Sequence, residues 1–165
     1  MEKIKIIVDT ASDITLSEAN DLNISLLPVG INHGDTFYRE QYDVSKQQFW
    51  EILKTSDILP TTCQISPDQL LSAFKAARDE GCTHIITVTI NSLGSGMYNN
   101  SFIAKNLYIE EFGEDITIEI IDSGTYTYLY GKPVMDAAVM VREGRSFDEI
   151  TAFLKDKLSR VEAFA

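Results

Sequence analysis

The sequence predicts an α/β fold, with a mainly parallel sheet flanked by helices. Three observations carry that prediction. Short β-branched apolar runs alternate with helical stretches along the chain, strand then helix then strand. Ser/Thr-x-x-Glu/Gln boxes begin at Thr15, Ser45, Ser66 and Ser146, each at the head of a helical stretch. The runs Ile4 to Val8 and Ile116 to Ile121 read as buried parallel strands, and each ends in a polar loop.

Taken in order, Ile4 to Val8 leads into the loop Asp9-Thr10-Ala11-Ser12-Asp13, and the box at Thr15 opens a short helix. Ile24 to Asn32 reads as one strand, with Thr36 to Tyr38 pairing back across His33-Gly34-Asp35. The box at Ser45 starts a helix to about Lys54, and Ile58 to Ile65 is a loop rich in Thr and Pro. Ser66 then caps a helix with Pro67 in its first position and an apolar face of Leu70, Leu71, Phe74 and Ala77. Thr83 to Ile90, strongly β-branched, is the clearest strand. It runs into Asn91-Ser92-Leu93-Gly94-Ser95-Gly96 and a helix to about Glu111. After the strand Ile116 to Ile121 and the loop Asp122-Ser123-Gly124, a helix over 126–143 should be kinked or delayed by Pro133, and Gly144 ends it. The box at Ser146 opens a last helix to about Leu158.

Residues 1–165 read as a single α/β domain, and 44% hydrophobic residues are enough for a core. Val161 to Ala165 resembles the start of a strand, which points to one domain of a longer protein; a short edge strand is the alternative. Lys plus Arg is 14 and Asp plus Glu is 25, a net charge of −11. That balance argues against nucleic-acid binding and against stable membrane anchoring through basic residues. Two cysteines, two histidines and no CxxC make neither a disulfide framework nor a structural zinc site. Cys63 and Cys82 read as reduced thiols, which fits a cytoplasmic location. The apolar run near Met1 is too short for a signal peptide or a membrane span.

In open α/β sheets, ligands sit beyond the carboxyl ends of the strands. The loops 9–13, 91–96 and 122–125 fall there, and the Thr61-Thr62-Cys63-Gln64 loop can join them. In 91–96, glycines allow close backbone approach, the next helix start offers free N–H groups, and Ser92 and Ser95 add hydroxyls. Such a loop suits a carboxylate or a phosphate; a plain helix cap with a Gly turn is the simpler alternative. Ser95 lacks the G-x-S-x-G elbow of a nucleophile and a histidine placed to activate it. Neither a phosphate-binding P-loop nor G-x-G-x-x-G is present. No catalytic residue is therefore expected. Thr62 and Gln64 can hold an anion without burying a charge. Asp9, Asp13 and Asp122 can be read as a Mg²⁺ site, but loop and turn hydrogen bonding is the commoner use of such residues. Tyr126, Tyr128 and Tyr130 read as packing rather than a ligand cage.

These loops, in this order, resemble the DegV family of bacterial fatty-acid-binding proteins. The family's strand followed by Asp-Ser-Thr-Ser-Asp-Leu is similar to Ile7 through Ile14, and its Pro-Leu-x-Val and Gly pattern is similar to Leu27-Pro28-Val29 through Gly34. Its Thr-Ser-Gln-Pro-Ser loop falls on Thr62-Cys63-Gln64-Ile65-Ser66. Its Ser-Ser-x-Leu-Ser-Gly-Thr-Tyr loop falls on Asn91 to Tyr98, and its Ile-Asp-Ser on Ile121-Asp122-Ser123. Departures are Cys63 for Ser, Ile65 for Pro, and Asn91, Gly94 and Met97 in the second loop, which puts headgroup geometry in question.

The resemblance implies that this chain is the N-terminal half of a two-domain protein with a long-chain fatty acid between the halves. It implies a carboxylate held by Thr62 and by Ser95 or Ser92, with Gln64 and Gly96 at the same site. It implies no metal and no cofactor, and presentation of the bound acid to a separate fatty-acid kinase. A phosphate-ligand enzyme or transferase using the same loops with Mg²⁺ at Asp9 or Asp122 is the alternative, and a ligand-free interaction domain is a third.

Overall fold

The computed structural model describes residues 2–161. A central sheet of four parallel strands has the order β2-β1-β6-β7, where β1 is Ile4–Asp9, β2 Ser25–Leu27, β6 His84–Thr89 and β7 Thr117–Asp122. Every residue of β1 is buried, which explains why its sequence is an apolar run rather than an alternation. Side chains still alternate between faces. Ile4, Ile6 and Val8 join Ile86 and Val88 in a core closed by α1 (Leu16–Asp21), α5 (Tyr128–Arg142) and α6 (Phe147–Leu158). Ile7, Ile85, Ile118 and Ile120 face the other way, against α3 (Pro67–Asp79) and α4 (Met97–Phe112). Lys5 also falls on that second face. Its buried ammonium is held by Glu80 at 2.7 Å and by Asn23 at 2.9 Å, the pairing that a buried charge requires.

The predicted boxes at Thr15, Ser45, Ser66 and Ser146 all form with both reciprocal hydrogen bonds. Pro67 sits at the start of α3, where its missing N–H costs nothing. Pro133 neither delays nor starts α5; it lies inside the helix, and the acceptor it leaves free belongs to Leu129 on the exposed first turn.

Two expectations need correction. Ile24 to Asn32 is not one strand. The chain leaves the central sheet after Leu27, and β3 (Gly30–His33) belongs to a second, antiparallel sheet of order β4-β3-β5. Pro28 has no N–H for a ladder, and the Val29 N–H is diverted to Thr10 Oγ1 at 3.0 Å. The segment 58–65 is not all loop either. Thr61–Cys63 is β5, paired to β3 with Thr62 opposite Ile31, while β4 (Thr36–Arg39) flanks the other side. The helix α2 (Lys46–Thr55) follows β4. The expected strand at Val161 to Ala165 lies, beyond its first residue, outside the described residues.

The outer strands of the parallel sheet each have a carbonyl occupied by a side chain. Thr117 and Ser123 direct their N–H groups to β6, so the polar groups of Ile118 face the open side of β7. There the Ile118 carbonyl accepts from Lys105 Nζ at 2.7 Å. On β2, the Leu26 carbonyl accepts from Tyr42 Oη at 2.8 Å.

Candidate functional site

At the carboxyl edge of the parallel sheet, β1 ends in Asp9, whose carboxylate caps the short turn Thr10–Ser12 through the Ala11 N–H at 2.9 Å. Tyr130 Oη donates to the same oxygen at 2.6 Å. That contact exists because α5 approaches very closely: a Cβ on Gly131 would stand 2.2 Å from the Ser12 carbonyl, so only glycine fits. Asp9 is fully buried. Burial pushes its pKa up to about 6, against the opposing pull of the hydrogen bonds from Tyr130, Ile90 and Ala11. Burial, then the neighbouring Asp9 charge, raises the Tyr130 phenol far above its ordinary value.

Above Asp9 lies a cleft of about 370 Å³. Its walls include Thr62 and Gln64 from the β5–α3 segment, Gly94, Ser95 and Gly96 from the β6–α4 loop, and Val29 and Ile65. The structure thus brings Thr62, Gln64, Ser95 and Gly96 together. It leaves Ser92 outside the cleft lining, with its N–H on Asp122 Oδ1 at 3.0 Å. Gln64 Oε1 accepts from the Gly96 N–H at 2.8 Å, and Ser95 Oγ accepts from the Met97 N–H at 3.3 Å. The walls contain no Lys, Arg or His among the described residues.

A second hollow, of about 360 Å³, shares Ala11, Val29 and Thr62 with the cleft and continues past Ile31, Phe49 and Pro60. A third, of about 310 Å³, shares Ile31, Glu40 and Phe49 with the second and ends at Val44 and Trp50. Thr62 therefore stands where a cleft that carries Gln64 and Ser95 meets a mainly apolar groove between the small sheet and α2. The sequence offered no sign of that groove, because its walls are single residues from β3, β4–α2 and α2 that only the small sheet brings together. Glu40, also missed, accepts from Thr10 Oγ1 at 2.5 Å and ties that sheet to the end of β1.

The acidic residues serve the loops. Asp122 Oδ1 accepts from the Ser92 and Gly124 N–H groups, and Asp13 pairs with Lys46 at 3.1 Å. Among the described residues no three His, Cys, Asp or Glu side chains gather as a metal site. Tyr126 and Tyr128 are exposed, and Tyr130 is core. No helix among the described residues is long and apolar enough to cross a membrane.

Sheet, loops and cleft define an α/β domain with a cleft at the carboxyl ends of its parallel strands. Residues 3–165 match the family described as "Uncharacterised protein, DegV family", and the chain belongs to that family. It is 37% identical over 150 residues to a DegV domain-containing protein of Clostridium perfringens, across 91% of this chain and 51% of the relative. Among solved structures it matches DegV, a fatty acid binding protein from Bacillus subtilis, with a TM-score of 0.86 and 20% identity over 96% of this chain and 55% of that one. It matches the fatty acid kinase B3 protein of Streptococcus pneumoniae, loaded with linoleic acid, with a TM-score of 0.78 and 25% identity over 95% and 54%. The chain spans about half the length of the curated relatives it matches.

Proposed function

We propose that this chain is the headgroup-binding half of a fatty-acid carrier. The observation that carries the reading is the position of Thr62, which lines both the cleft that Gln64 and Ser95 share and the apolar groove that continues from it. A carboxylate in the cleft would meet hydroxyls and a side-chain amide, and its acyl chain would run past Val29, Ile31 and Phe49. Burial of the chain supplies affinity at about 0.8 kcal/mol per methylene. Solved structures that the chain resembles, one of a stearic acid-binding protein from Eubacterium ventriosum and one loaded with linoleic acid, support the same class of ligand.

In this reading the remaining half of a two-domain protein closes the groove, and the bound acid is presented to a separate fatty-acid kinase. The chain itself performs no chemistry. The test is calorimetric titration of oleate against the full-length product of the gene. Thr62→Val keeps the side-chain volume and removes the hydroxyl. It should weaken binding by about 1.5–3 kcal/mol, the range for a hydrogen bond to a charged group. Unchanged affinity in a folded variant would remove Thr62 from the site.

A further inference from the structure

Asp9 closes the bottom of the cleft and is fully buried. Its carboxyl ties three segments together, and it does so unevenly. Oδ1 accepts two short bonds, from the Ala11 N–H at 2.9 Å in the turn after β1 and from Tyr130 Oη at 2.6 Å on α5. Oδ2 accepts one long bond, from the Ile90 N–H at 3.4 Å, where β6 runs into the loop that carries Ser95. A carboxyl held in this way has room for a proton on Oδ2 while Oδ1 keeps its partners. The groups packed around it add to the pressure to take one. Burial first, and then the charges of Asp9, Asp13 and Glu40, keep the Tyr130 phenol protonated, so Tyr130 donates throughout the neutral range. Glu40 reaches the end of β1 through Thr10 Oγ1, and Asp13 follows the turn, paired with Lys46 of α2 at 3.1 Å. The β5–α3 segment and the β6–α4 loop bring Thr62, Gln64 and Ser95, which do not titrate near neutral pH.

We infer that carboxylate binding in the cleft is coupled to protonation of Asp9: as the anionic headgroup enters, Asp9 takes one proton from solvent onto Oδ2, and the ligand becomes the charge that the cleft holds. This rests on the reading of the cleft as a carboxylate site. Two carboxylates stacked in a partly dehydrated cleft repel each other, and the one with the higher cost of charge yields. That one is Asp9, which is buried, whereas the ligand headgroup meets the hydroxyls of Thr62 and Ser95 at an open edge. Burial already lifts the pKa of Asp9 to about 6 in the unliganded chain, so a modest further rise brings its titration to neutral pH. The bond that weakens is the long one from Ile90, at the root of the Ser95 loop, so the proton also frees that loop to settle on the ligand. Neutral Asp9 adds no repulsion when a phosphoryl group approaches the bound carboxylate.

The experiment uses the 165-residue chain, with ¹³C at its aspartate carboxyls and ¹⁵N in its backbone, and octanoate as the ligand, from about pH 5.5 to about pH 8. NMR reads the charge of Asp9 directly and detects weak binding. The Asp9 carboxyl should titrate near pH 6 in the free chain and at least about one pH unit higher at saturating octanoate. Between those two values the complex binds more protons than the free chain, so affinity should fall about tenfold as pH rises through the window. Calorimetry in buffers of different ionisation enthalpy should show net proton uptake there. Asp9→Asn should flatten the pH profile and abolish the uptake. If that variant does not fold, Tyr130→Phe decides: it removes a donor from the charged form, so the Asp9 titration and the fall in affinity should both move to higher pH. An Asp9 titration that is the same with and without octanoate, while Thr62 and Ser95 shift, overturns the coupling and leaves the carboxylate site standing. So does a loss of affinity in Asp9→Asn that is equal at every pH. Octanoate shifts absent from every cleft residue overturn both readings.

Discussion

Helices α2 and α3 begin alike, with Ser45 and Ser66 capping boxes completed by Gln48 and Gln69, and both are amphipathic. Helix α3 buries Leu70, Phe74 and Ala77 against the parallel sheet, whereas α2 buries no residue at all. Local signals of equal quality therefore lead to different tertiary roles. Helix α3 completes a core that the chain supplies from both sides. Helix α2 leans over a small antiparallel sheet with a hollow between them, and it leaves Trp50 57% exposed. Stability in such a molecule is uneven: the parallel sheet sets the global value, and the small sheet with α2 opens at lower cost.

The largest effect should fall on the first region. Phe74→Ala removes a fully buried ring and should cost about 3–5 kcal/mol, while Trp50→Ala should stay within about 0.5 kcal/mol. Urea unfolding of the two variants checks this, and equal losses would make α2 as integral as α3.

The next effect concerns Asp9, where the two regions meet. Its carboxyl holds its proton up to about pH 6 in the folded chain, against 3.8 for its ordinary value. Between those pH values the folded state binds more protons than the unfolded one. The contribution of Asp9 therefore falls as pH rises through that window, by about 3 kcal/mol, and stays low above it. Paired carboxylates such as Asp43, which Arg39 holds down at about 2, run the opposite way. The readout is therefore the difference between the unmodified chain and Asp9→Asn, which should narrow or reverse between pH 4 and pH 6 in favour of the variant. Tyr130→Phe removes a donor from the charged form and should steepen the fall. A difference independent of pH would place the Asp9 titration outside this range.

The smallest effect sharpens the comparison between the helices. Ser66→Ala and Ser45→Ala delete the same cap, worth about 1 kcal/mol. The first should lower the global unfolding free energy. The second should leave it nearly unchanged and speed amide exchange in α2 alone. Hydrogen exchange of both variants separates the two outcomes.

The parallel sheet was legible because its signals are local. Ile4–Asp9, His84–Thr89 and Thr117–Asp122 are β-branched runs, and the four capping boxes mark helix starts within a residue. The small sheet was not, because its strands exist through long-range pairing: Thr61–Cys63 has little to mark it as a strand until β3 lies beside it. The split at Pro28 needed the Thr10 hydroxyl, far away in sequence, to hold Val29. In the candidate site, the nearness of the loops carrying Thr62, Gln64, Ser95 and Gly96 could be read from their place before helices at the carboxyl ends of strands, although hydroxyls and glycines there serve equally as plain helix caps. The proximity of Gln64 to Gly96, the exclusion of Ser92 from the cleft, and the groove past Phe49 depend on packing that no spacing encodes.

Lys105 matters beyond the bond it makes. An unprotected outer strand is a template on which another chain can add, and β7 carries Ile118, Ile120 and Ile121 in a β-prone run. With its ammonium on the Ile118 carbonyl, Lys105 places a half-buried charge across the line that an incoming strand would follow. The domain can thus keep an open apolar groove without offering its backbone to a neighbour. Lys105→Met would remove that barrier at little cost to the fold, and the lag before thioflavin-positive fibrils form on agitation should shorten. An unaltered lag would mean that the crowding of α4 alone is what keeps other chains from the sheet.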